Sequence, residues 1–254
     1  DASPLTWRPD IVHCNDWQTG LVPVYLKTKY AGKACFKNTK TIITIHNLAY
    51  QGHFWHLDMN LTGLDWSLFN WKQLEFYGKL SFLKGGIVFS DLITTVSKTY
   101  AEEIQTPEYG EGLDGVLKER ANDLYGIING IDYTIWNPES DKFIIANYGM
   151  KNLNGKQLCK KALQRKYKLP ERGVPLVGMI TRLADQKGLD LVVDKFGDLM
   201  KAGLQFVLLG TGEQRYHEFF LDYARTYPEK VAVKLSFDER SAHEIEAGAD
   251  MFLM

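Results

Sequence analysis

Arg182 and Lys187 lie five positions apart in ITRLADQKGLDL, and Gly188 follows the lysine directly. The apolar run VPLVGMITR (174–182) precedes them and an amphipathic stretch follows, so the segment reads as a strand-to-helix loop. Such a loop offers an anion its backbone N–H groups and the positive end of a helix dipole. A guanidinium can grip a diphosphate through two parallel hydrogen bonds. The plain alternative is a surface loop with scattered charges. Asp16, His46 and Asn129 stand at or just beyond the ends of DIVHCN (10–15), TIITIHN and YGIING (125–130). Asn129 can turn both a donor and an acceptor toward a sugar hydroxyl. His46 can partner a bound polar ligand. Each also has an ordinary role. Asp16 could cap the helix WQTGLVPVYLK, His46 could be a satisfied core or capping group, and Asn129 before Gly130 could be a turn signal.

Gly210, Thr211 and Gly212 open a run that begins like a dinucleotide fingerprint, but Arg215 stands where the third glycine belongs. An NAD oxidoreductase is therefore the weakest option. No GxxxxGK[ST] run and no Asp-x-Asp pair occurs. Neither a P-loop nor a metal-chelated diphosphate is indicated, so Arg182 and Lys187 would have to neutralise a leaving group themselves. HFWH (53–56) has two histidines without a third ligand and reads as loop packing. The dense aromatics Tyr50, Phe54, Trp55, Trp66, Trp71, Phe76 and Tyr77 are mostly core, with some able to face a sugar.

These residues need elements that place them. Further strand-like runs are SDLITTVS (90–97), LQFVLLGTG (204–212), KVAVKLSF (230–237) and ADMFLM (249–254). Ser97 is placed to cap the helix that follows. Strands alternating with helical stretches imply an α/β protein with parallel sheets buried on both faces. Ligands bind outside the carboxyl ends of such strands, where the polar residues fall. Residues 139–172 are polar and lysine-rich and read as a connector. The expected organisation is one domain over 1–138, the connector over 139–172, and a second domain over 173–254 that is truncated, since ADMFLM lacks a covering crossover.

The chain has 254 residues, 45% of them hydrophobic, and a formal net charge of −1. Nothing global suggests nucleic acid or an anionic membrane as partner, and no apolar run approaches the ~20 residues of a membrane span. The cysteines, Cys14, Cys35 and Cys159, form no CxxC pair, which fits a reducing compartment.

The blocks HCNDWQTGLVPVYLK, TIITIHNLAYQG, LKGGIVFSDLITTVSKTYAEEI, EYGEGLDGVL, IINGIDYTIWNPESD, ITRLADQKGLDL and FVLLGTGE together resemble glycogen/starch synthases of the bacterial and plastid type, glycosyltransferase family 5. The resemblance covers nearly the whole chain. It implies two Rossmann-like domains in the GT-B arrangement. It also implies metal-free, cofactor-free transfer of glucose from ADP-glucose to the non-reducing end of an α-1,4-glucan, with retention. By position, His46 and Asn129 resemble glucose-contacting residues, and Asp16 a nearby aspartate. Arg182 and Lys187 resemble the diphosphate pair. Gly210 and Thr211 lie where the nucleotide loop runs, and Phe237 where a ring, more often Tyr, meets the adenine. Gln18 stands where some members have His. A KxGGL loop would precede Asp1 and a PSRFEPCGL segment would follow Met254, so this piece alone is expected to be inactive. The location implied is cytoplasmic, or the stroma for a plastid protein. Another GT-B enzyme, of sucrose or trehalose-phosphate type, and a non-catalytic glucan- or nucleotide-binding module remain the alternatives.

Overall fold

Apolar runs with β-branched residues become the inner strands of two parallel sheets. The computed structural model describes residues 7–254. They divide into two units, the first ending at Gly130 and the second spanning Ile131–Met254.

In the first unit β1 (Ile11–Asn15) leads through a 3-10 turn at Trp17–Thr19 into α1 (Leu21–Lys27), and β2 (Lys40–Ile45) follows. Next come β3 (His53–Trp55), α2 (Met59–Thr62), β4 (Glu75–Phe76), β5 (Lys79–Ser81) and α3 (Phe82–Phe89). The unit closes with β6 (Leu92–Thr95), α4 (Lys98–Glu103), α5 (Asp114–Glu119) and β7 (Leu124–Gly126). The main sheet runs β1-β2-β6-β7, and every pair is parallel. Ile43, Ile45 and Ile93 pack against Leu83 and Ile87 of α3. Ser97 caps α4, accepting from the Tyr100 N–H at 3.2 Å.

Two expectations change here. HFWH is not simply loop packing, because its first three residues form β3, antiparallel to β5. The partner strand comes from residues distant in sequence, and Phe54 packs 4.4 Å from Phe82, so the local pattern is silent. YGIING is also shorter as a strand than expected. Pairing with β6 ends once the Ile127 N–H reaches the Thr95 carbonyl at 2.7 Å.

The second unit contains α6 (Asn154–Lys166), β8 (Leu176–Ile180), α7 (Leu189–Lys201), β9 (Gln205–Leu209), α8 (Gln214–Thr226), β10 (Val231–Lys234), α9 (Glu239–Gly248) and β11 (Met251–Phe252). Its sheet is parallel, in the order β10-β9-β8-β11. The chain moves outward from β8 to β10, and then α9 returns it to the far side of β8. That reversal is the switch point at which open sheets leave a crevice. Phe196, Phe206 and Phe220 fill the core, with Phe196 edge-on to Phe206 at 5.0 Å.

The lysine-rich stretch 139–172 lies inside this unit, which begins at Ile131, and is not a spacer. α6 packs on α9, and Lys160 reaches Asp250 at 2.5 Å and the Val174 carbonyl at 2.7 Å. Lysine stems cover apolar surface while their heads find partners, which composition alone does not reveal.

Asp91 ties the first unit together ahead of β6. Its carboxylate accepts from Lys27 at 2.8 Å and from the Thr41 N–H at 2.7 Å. Burial pushes this carboxyl up, but Lys27 and the Thr41 N–H and hydroxyl outweigh it and hold it at about 2, against an ordinary 3.8. Folding lowers the pKa, so the stabilisation is whole above about pH 4 and is lost as pH falls toward about 2. Asp91→Asn should cost on the order of 1–2 kcal/mol at neutral pH and flatten the acid limb over that window, as read by urea unfolding at a series of pH values.

Candidate functional site

The loops after β8 and β9 run side by side in the second unit. The Thr181 N–H donates to the Leu209 carbonyl at 3.1 Å, Leu183 to Thr211 at 3.0 Å, and Glu213 back to Leu183 at 2.7 Å. Glycine permits this approach. A Cβ on Gly210 would lie 2.0 Å from the Thr181 oxygen, and one on Gly212 would lie 2.1 Å from the Leu183 oxygen. The glycines thus join two loops within one sheet. Arg215, where a third glycine would stand, is the second residue of α8 and pairs with Asp185 and Glu213.

After Arg182 the chain makes a 3-10 turn at Asp185–Lys187, and Gly188, at φ 65°, passes it into α7. Asp185 anchors the turn, accepting from the Tyr216 hydroxyl at 2.5 Å and from the Arg215 guanidinium. Those two partners hold the Asp185 carboxyl below its usual range, and the carboxylate in turn pushes the Tyr216 phenol up to about 12. Lys234 and the Ser241 N–H likewise hold Asp238 well below the usual carboxylate range. Arg215 and Lys234 are therefore neutralised. Among the described residues the Arg182 guanidinium bonds the neutral Gln186 side chain, at 3.3 Å. Among the described residues neither Arg182 nor Lys187 forms an ion pair, and both are exposed.

A cavity of about 1040 Å³ opens at the carboxyl ends of β8, β9 and β10. Of the expected residues, Arg182, Gly210, Thr211 and Phe237 line it, and Lys187 does not. Phe237 is 96% exposed, an unusual setting for a phenyl ring and a free face for a planar group. Sequence reasoning missed three contributors. Trp136 and Glu246 also line the cavity. His217 accepts the Gly212 N–H at 2.9 Å, steadying the glycine loop. Trp136 lies in IINGIDYTIWNPESD and could have been noticed there, whereas Glu246 and His217 sit in ordinary helical patterns.

In the first unit Asp16 does not cap the helix after it, since its side chain makes no capping bond. Its carboxylate crosses to β2 and accepts the His46 N–H at 2.8 Å, while its own N–H donates to Thr44 at 2.9 Å. The register that sets Asn15 against Thr44 brings these groups level. Asp16 holds φ 54° and ψ −171°, a conformation that costs about 1–3 kcal/mol for a residue with a Cβ. His46 is exposed rather than a core histidine, and its Nε2 lies 3.0 Å from the Asn15 Oδ1. Asp16 and His46 are thus brought together. Asn129 is exposed three residues beyond β7, which β6 separates from β2. The aromatic set is not mostly core: Tyr50, Trp55, Trp66, Trp71 and Tyr77 are exposed, and Phe54 packs inward. Among the described residues no cluster of His, Cys, Asp and Glu is arranged to hold a metal ion. None of their helices is long and apolar enough to cross a membrane.

Parallel-sheet units with polar loops at their carboxyl ends make this an α/β protein with Rossmann-like sheets. Residues 2–119 match the family model for the starch synthase catalytic domain. A glycogen synthase of Thermosipho africanus is 54% identical over 248 residues, 97% of this chain and 51% of that protein. One from Anaeromyxobacter is 53% identical over 251 residues, 98% of this chain and 53% of that protein. The catalytic domain of Starch Synthase IV from Arabidopsis thaliana, solved bound to ADP and acarbose, aligns with a TM-score of 0.90 at 36% identity. That alignment covers 96% of this chain and 51% of that one. The chain is similar to these glycogen and starch synthases and spans about half the length of the curated relatives it matches.

The loop junction gives a direct test. Gly210→Ala should force the two loops apart and cost about 1–3 kcal/mol, a loss visible in denaturant unfolding. A variant as stable as the parent would show that the loops part freely.

Proposed function

We propose that the chain is part of a retaining glucosyltransferase that moves glucose from ADP-glucose to the non-reducing end of an α-1,4-glucan. One observation carries the reading. Arg182, Gly210, Thr211 and Phe237, the positions that the synthase resemblance gives to diphosphate and nucleotide, face one cavity. The adenine lies on Phe237 and the diphosphate runs toward Arg182 and Lys187, which form no ion pair among the described residues. As the bond from glucose C1 to the diphosphate oxygen breaks, these cations take up the charge that develops on ADP. His46 and Asn129 orient the glucose. The acceptor 4-hydroxyl attacks C1 from the face the leaving group departs, and its proton passes to the diphosphate. No resident cofactor and no metal step are part of this scheme. The setting is the cytoplasm, or the stroma in a plastid.

In the full-length protein, Lys187→Ala should lower glucose incorporation from ADP-glucose by at least about 10²-fold, measured with labelled donor and glycogen. Parent-level transfer by that variant would remove the assignment. Competition between ADP-glucose and UDP-glucose in the same assay separates this reading from another GT-B enzyme. Saturable glucan binding that ADP does not affect would point instead to a non-catalytic module.

A further inference from the structure

A side-chain cluster built on the buried His243, reaching the cavity wall at the half-buried Trp136, has no part in this scheme. The Trp136 ring lies flat on the His243 imidazole, with centroids 3.8 Å apart and planes 5° apart. Phe143 packs against the same imidazole at 4.9 Å. His243 Nδ1 is 2.6 Å from Asp141 Oδ2, and the two side chains are 1% and 8% exposed. A carboxylate only accepts, so Nδ1 carries the proton. Nε2 is buried with no partner among the described residues. Trp136 and Glu246, which lies three residues after His243 on α9, belong to the wall of the large cavity. The same two residues, with Asp141 and His243, line a second cavity of about 190 Å³.

Burying a carboxylate and an imidazole is costly, and apolar side chains would pack the space at least as well. What the polar pair adds is orientation. The short bond to Asp141 fixes the angle of the imidazole, and the imidazole fixes the plane of the indole stacked on it.

We propose that His243, held by Asp141, is a positioning residue that sets Trp136 on the wall of the nucleotide cavity and thereby raises affinity for the nucleoside diphosphate. This rests on the nucleotide reading of that cavity. The test is calorimetric titration with ADP on the 254-residue chain, paired with 19F NMR of 5-fluorotryptophan protein in which Trp136→Phe assigns the Trp136 signal. His243→Ala should weaken ADP binding about tenfold and shift the Trp136 signal. Trp136→Ala should weaken binding comparably, and the double variant no further, because the two act as a unit. Asp141→Ala should behave like His243→Ala, whereas Asp141→Asn, which still accepts from Nδ1, should stay within about threefold of the parent. Should an alanine variant fail to fold, His243→Gln gives the same two readings. Parent-like ADP affinity in a folded His243 variant, or losses that multiply in the double variant, would overturn the proposal. If the parent binds no ADP, the nucleotide reading falls. An unmoved Trp136 signal separately refutes the positioning.

Discussion

Parallel strands bring their carboxyl ends to the same side, and in the second unit two of the loops beyond those ends touch backbone to backbone. Gly210 and Gly212 allow it, because a methyl group at either would fall inside the van der Waals shell of a carbonyl on the neighbouring loop. Much else follows from this contact. It closes the floor of the cavity. It fixes where Arg182 leaves the sheet, and it lets Glu213 and Asp185 tie the start of α8 to the turn that carries Lys187. A hydrogen-bonded junction of this kind is rigid before any ligand arrives, so a ligand held there does not have to meet the cost of ordering it.

The first unit solves the same problem with strain rather than glycine. Asp16 turns off β1 in a conformation that glycine would adopt more readily, yet an aspartate stands there. Its carboxylate is what holds the His46 N–H at the end of β2. A glycine would relax the backbone and lose that bond. Strain of about 1–3 kcal/mol persists only where the surroundings over-determine it, and here two hydrogen bonds across the parallel pair do so.

The sheets and the polar residues at their ends were readable because each rests on a local pattern. A run such as TIITIHN is apolar, β-branched and then abruptly polar, and Ser97 announces its helix by residue type alone. Other features depend on distant partners. β3 exists because Lys79–Ser81 lies beside it. α6 looked like a linker because its lysines dominate the composition, while their partners Asp250 and Glu244 lie far along the chain. The trio of Trp136, Asp141 and His243 spans more than a hundred positions, and nothing in the local sequence of any member points to the others. Asn129 shows the opposite failure. Its local signal suggested a strand end, but the strand stops earlier at Gly126.

Net charge also misleads about the site. A chain near neutrality suggests no anion partner, but what a ligand meets is the charge left after local pairing. Around the cavity Asp185 answers Arg215, and Asp238 answers Lys234. Each of these carboxyls is held below its usual range by its cationic partner and its hydrogen-bond donors. Arg182 and Lys187 are left over. Two cations without an ion pair among the described residues stand beside a helix N-terminus, and their local charge is not reported by the net charge, because exposed charges beyond about 10 Å are screened at ordinary salt. Phe237 adds a free ring on the wall of the same cavity. Cation, glycine loop and ring are the features on which the proposed nucleotide reading rests, and the local balance of charge explains how a nearly neutral protein presents that surface.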